Sequence, residues 1–162
     1  RFNIFYFQNF TLIFILKLLR RKMTERLDLT KIEVGQELVP IRKLMTQEKI
    51  NAYIDAAEDY NPIHVDPEYA KDTVFKSTIA PGYQFIAYLS EVMARDFDEK
   101  WITGGGMELR LIKPVFPKDT LTIGAKVVEK NEQDNSTSIK CDVWIKNQDD
   151  KDIVVGYTTV AY

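Results

Sequence analysis

The sequence predicts an α+β chain: an antiparallel sheet with one face on a single buried helix. Two observations carry this. Helical periodicity is confined to the residues before the glycine run at 104 to 106, and a period of two takes over after it. Just before that run lies "YQFIAYLSEVMARDF", in which Phe85, Ile86, Tyr88, Leu89, Val92, Met93 and Phe97 cover most of a helix surface. A helix apolar on nearly every side belongs inside a protein.

Taken in order, residues 33 to 45 read as a short strand, and Pro40 places it at a sheet edge or a bulge. In "TQEKINAYIDAAED", Ile50, Tyr53, Ile54 and Ala57 fall at i, i+3, i+4 and i+7, so an amphipathic helix is expected with Thr46 as its N-cap. The loop "DYNPIHVD" follows. In "DPEYAKDT", Asp66 is placed to cap a short helix whose first residue is Pro67. "STIAPG" is a turn leading into the apolar helix. Beyond the glycines, "MELRLIKPVF", "DTLTIGAKVVEKNE", "STSIKCDVWIKN" and "KDIVVGYTTVAY" alternate as strands, separated by "FPKD", "NEQDN" and "NQDDKD". Such a sheet has edges that a second chain can pair.

The length of 162 residues fits one domain, and 45% hydrophobic content is enough for a packed core. One cysteine, Cys141, excludes an internal disulfide framework, and with a single histidine it excludes a Cys/His zinc site. Cys141 lies in an alternating apolar stretch and reads as a buried thiol. The first 22 residues stand apart, with five basic groups and no acidic one. The remaining 140 carry 17 basic against 24 acidic groups, a net charge of −7, with no basic stripe of the kind a nucleic-acid binder shows. Three readings of residues 1–22 compete. A membrane anchor is interrupted by Asn3, Gln8, Asn9, Thr11 and Lys17. A signal peptide would carry its basic residues first, whereas Arg20, Arg21 and Lys22 come last. The favoured reading is translated upstream DNA: the residue types suit AT-rich codons, and Met23 opens a polar, acidic start. Residues 23–162 are then the single domain, expected to be cytoplasmic and free of the membrane.

The only histidine sits in "DYNPIHVD", five positions after Asp59. Taken singly, Asn-Pro is ordinary turn chemistry, Asp59 can cap a helix end, and a lone surface histidine usually does nothing. Taken together they are more specific. Pro62 fixes its own φ and holds Asn61 extended, so the chain folds back and Asp59 and His64 can face one point about a water's width across. An acid and an imidazole around one water suit proton transfer in both directions near neutral pH.

The run "AAEDYNPIHVDPEYAKDT", then "IAPG", "LS" and "LRLIKPVFPKDTL", resembles the MaoC-like, or (R)-specific enoyl-CoA hydratase, family of hot-dog-fold proteins. The family's D-x-N-P-x-H motif falls on Asp59, Asn61, Pro62 and His64, and the resemblance runs from about Ile32 to Ala161. It implies a sheet wrapped around a long central helix, no cofactor and no metal. It also implies hydration of a trans-2-enoyl thioester of coenzyme A or acyl-carrier protein to the (R)-3-hydroxyacyl thioester, or the reverse. Asp59 and His64 would hold the water, and the backbone N–H of Gly82, at a helix start, would face the thioester oxygen. Ser90 matches a family serine near the histidine; a serine bonded to its own helix carbonyl is the equally good plain reading. The turn departs from the family's H-G-x: here it is "APGYQ", with Pro81 in place of the histidine and Tyr83 and Gln84 following, which would alter the pocket rim. The resemblance further implies a homodimer, or a hetero-oligomer with a second hot-dog chain in which this chain, keeping the pair, is the active partner. An acyl-thioester hydrolase using Asp59 or Asp66 and a non-catalytic partner subunit remain as alternatives.

Overall fold

A computed structural model describes residues 27–133 and 136–162. Residues 1–22, and with them the expectation about translated upstream sequence, lie outside the described residues. The elements run β1 (Ile41–Leu44), α1 (Gln47–Ala57), α2 (Pro62–Val65), α3 (Pro67–Lys71), α4 (Gly82–Phe97), α5 (Glu99–Gly104), β2 (Gly105–Leu111), β3 (Thr120–Gln133), β4 (Ser136–Lys146) and β5 (Asp152–Ala161). The strands form one sheet in the order β1-β3-β4-β5-β2, and every neighbouring pair is antiparallel.

The sheet follows from alternation. Leu121, Ile123, Ala125 and Val127 of β3 and Ile139, Cys141, Val143 and Ile145 of β4 are all buried. The register sets Ile123 opposite Ile145, Ala125 opposite Val143 and Val127 opposite Cys141, so the apolar side chains share one face. On β5, Val154 and Val160 continue that layer opposite Ile145 and Ile139. Phe85, Leu89, Val92, Met93 and Phe97 of α4 complete the core. Each such side chain, fully removed from water, stabilises by about 1.5–3 kcal/mol. Burial pushes the Cys141 thiol up to about 12, against a smaller opposing effect of its hydrogen bond with Thr158.

Three departures from the sequence reading have local causes. The strand expected over residues 33 to 45 is divided: Glu37 bridges to Lys126, and only Ile41–Leu44 pairs continuously with β3. Pro40, which has no N–H to donate, stands at the break. The α4 helix keeps an exposed side at Tyr83 and Glu91, so it is less uniformly buried than its apolar content suggests. The short α5 was not expected, because six residues are too few to show a period; Trp101 anchors it, donating from Nε1 to Ser90 Oγ at 2.8 Å.

Candidate active site

The local sequence around Asp59 and His64 folds for identifiable reasons. Thr46 caps α1 as expected, its side chain accepting from the Lys49 N–H. At the other end Glu58 is left-handed, with φ 54° and ψ 32°, and the Asp59 N–H reaches back to Ile54 O at 3.1 Å. That bend turns the chain out of α1 at Asp59. The expected loop then contains one helical turn. Asn61 is its N-cap, its Oδ1 accepting from the Ile63 N–H at 3.2 Å, and Pro62 is its first residue. His64 therefore rides on a capped turn. Asp66 caps α3 by accepting from the N–H groups of Glu68 and Tyr69.

His64 is 8% exposed. Its Nδ1 lies 2.7 Å from Ile79 O. A carbonyl can only accept, so Nδ1 carries the proton and, in the neutral ring, Nε2 carries a lone pair. Nε2 lies 3.8 Å from Asp59 Oδ2, and the Asp59 side chain is 46% exposed. The separation is too long for a direct hydrogen bond. It suits one water beside the line joining them, about 2.8 Å from each atom and seeing the two at roughly 85°. Both protein atoms would accept, so the water would turn its two hydrogens to them and leave its lone pairs pointing away.

His64 and Gly82 line the same pocket, of about 310 Å³, together with Phe75, Ile79, Ala80, Phe85, Leu111, Ile112, Lys113 and Pro114. Most of this lining is apolar. Gly82 opens α4, whose N-cap Pro81 supplies no side-chain hydrogen bond. The Gly82 N–H donates to no described residue, while the Gln84 N–H turns back to Pro81 O. A helix start leaves such donors free and carries the positive end of the helix dipole. Glycine is not required here by backbone conformation. Its use is space: a Cβ would come within 2.9 Å of Leu111 Cδ2.

Other residues expected at the rim lie elsewhere in this chain. Pro81 is buried and is not among the residues lining the pocket. Tyr83 turns outward, 78% exposed. Gln84 is buried and donates from Nε2 to Lys49 O at 2.9 Å, fastening α4 to α1. Ser90 lies outside the lining too, and its hydroxyl accepts from Trp101 Nε1. Conversely, Ile79, Phe75, Leu111 and Lys113 carried no mark in the sequence that assigned them to a site. The nearest signal was the "KPVF" segment, which ends the "LRLIKPVF" stretch.

The family model described as MaoC like domain matches residues 30–148. The chain belongs to the MaoC-like family. It is 29% identical over 101 residues to the (R)-specific enoyl-CoA hydratase of Aeromonas caviae, a match covering 62% of this chain and 75% of that protein. The solved (R)-hydratase of A. caviae superposes with a TM-score of 0.70 at 26% identity, covering 80% of this chain and 96% of that one. A second neighbour in shape is the C-terminally truncated HadBC complex, a 3R-hydroxyacyl-ACP dehydratase of Mycobacterium tuberculosis. It superposes with a TM-score of 0.63 at 20% identity, over 82% of this chain and 99% of that chain. These superpositions make the architecture a hot-dog fold. Among the described residues, no helix is long and apolar enough to cross a membrane.

Proposed function

We propose that this MaoC-like protein adds water to trans-2-enoyl thioesters of coenzyme A or acyl-carrier protein, forming (R)-3-hydroxyacyl thioesters, and runs the same reaction in reverse as a dehydratase. The observation that carries this reading is His64 on the wall of a largely apolar pocket, with its Nε2 held 3.8 Å from the Asp59 carboxylate. As the water oxygen attacks C3, Nε2 accepts one of its protons, and that proton is passed on to C2 with the help of Asp59, so that OH and H from one water end on C3 and C2. Negative charge gathers on the thioester oxygen, and the free N–H of Gly82 on the pocket wall is the donor suited to receive it. The remaining lining is apolar and suits an acyl chain. Support for the substrate class comes from the hydratase relative and from the dehydratase complex of similar shape.

The same reading pairs the chain with a second hot-dog chain, identical or not, through β2. Among the described residues this edge strand pairs with β5 alone, and Met107, Leu111 and the following Ile112 are exposed along it. The first experiment is an assay on crotonyl-CoA. Loss of the enoyl absorbance without free thiol is the expected result. Release of thiol would replace hydration by hydrolysis, and neither change would leave the chain as a non-catalytic partner.

A further inference from the structure

We infer that Gln47 and Thr78 are positioning residues that hold the imidazole of His64 in its Nδ1–H form. The kinetic part of this inference rests on the hydration reading; the spectroscopic part does not. The ring has two neutral forms to choose between. With the proton on Nδ1, it bonds to Ile79 O and presents a basic Nε2. With the proton on Nε2, it would donate to Asp59, only 3.8 Å away, close the pair and displace the water between them. Asp59 therefore favours the inactive form, and the carbonyl of Ile79 is the group opposing it.

That carbonyl lies in residues 78 to 81, which form no helix or strand. Its position depends on a few bonds. The Ile79 N–H donates to Ile63 O at 3.2 Å, and the Ala80 N–H to Val115 O at 2.8 Å. The side-chain bond is supplied by Thr78, which is 5% exposed and donates from Oγ1 to Gln47 Oε1 at 3.0 Å. The other end of the same amide, Gln47 Nε2, donates to His64 O at 2.9 Å and to Asn51 Oδ1 at 2.9 Å. The orientation is settled by the partner, because a backbone carbonyl cannot donate. A single amide thus ties the backbone of the histidine to the segment whose carbonyl holds its ring. It does so from the first residue of α1, the helix whose far end, at Ala57, leads through Glu58 into Asp59. Thr78→Val keeps the shape and removes the donor, leaving Gln47 Oε1 unpaired, a loss that costs more than the bond itself contributed.

The chain has one histidine, so its imidazole nitrogens give a single set of ¹⁵N resonances. In the full-length protein at about pH 8, above the ordinary imidazole range, the wild type should show a protonated Nδ1 and a bare Nε2. Thr78→Val and Gln47→Leu should each draw the two resonances toward one another, the mark of mixed tautomers, and lower kcat by roughly 10–100-fold with little change in KM, the usual range for a lost orienting partner. Thr78→Ser, which keeps the hydroxyl, should restore both readouts. Gln47→Leu, at a partly exposed position, serves if the buried Thr78→Val fails to fold. Wild-type resonances in a folded Thr78→Val or Gln47→Leu protein would overturn the inference, and so would a Thr78→Ser protein as impaired as Thr78→Val. If the tautomers shift as expected while the wild type hydrates no enoyl thioester, the positioning role stands and the hydration reading falls.

Discussion

At Gly82 the absence of a side chain matters for space. A Cβ there meets only the tip of Leu111, which is 48% exposed and free to give way, so a substitution should spare the fold and fill the pocket. Gly82→Val should lower kcat by roughly 10²-fold or more, the scale of losing one oxyanion donor. KM should move less than kcat, and the thermal midpoint should move little. Unchanged kcat on crotonyl-CoA would remove Gly82 from the reading. The residues that sequence made legible were those whose chemistry is written in their type and spacing: Asp59, Asn61 and His64. Ile79 was invisible because it acts through a backbone carbonyl. Gln47 and Thr78 were invisible because their bonds span 17 and 31 positions, far beyond any local period.

Among the elements, the legible ones were those with a cap or a period. Thr46 and Asp66 cap the helices assigned to them, and the four alternating stretches after the glycines became β2 to β5 within a few residues. The turn between β2 and β3 holds a feature that composition hides. Lys118 has φ 81°, a left-handed conformation, inside a turn tied by the Phe116 N–H donating to Asp119 Oδ2 at 2.8 Å. The Lys118 N–H also donates to Met45 O, next to the Thr46 cap of α1. Side chains resist this φ by roughly 1–2 kcal/mol, and glycine returns part of that gain as unfolded-chain entropy. Lys118→Gly should stabilise by about 0.5–1 kcal/mol, seen as a rise of about 1–4 °C in the melting midpoint. A lower midpoint would mean that the lysine side chain itself holds the turn.

For the whole molecule, the proposed pairing rests on β2, an edge of the sheet. An edge strand with apolar side chains facing solvent is a template for pairing. Light scattering on the full-length protein should give the mass of two hot-dog chains, and Met107→Lys, placing a charge on that edge, should shift the population toward one. A wild-type monomer that hydrates crotonyl-CoA at full rate would remove the pairing from the proposal while leaving the site intact. The pocket wall at Leu111 belongs to the same strand. Loss of pairing should therefore also lower activity, which a charge on an unrelated surface would not do.

The central claim is that His64 and Asp59 act on one water. The most direct measurement is the rate of crotonyl-CoA hydration by His64→Ala, Asp59→Ala and the double variant, each checked for an intact fold. Each single change should lower kcat by roughly 10²–10⁴-fold, the range for positioned acid–base groups. The double variant should fall little further, because two groups serving one water fail together. A double variant that loses the full product of the two single effects, or single variants that keep wild-type rates, would contradict the account.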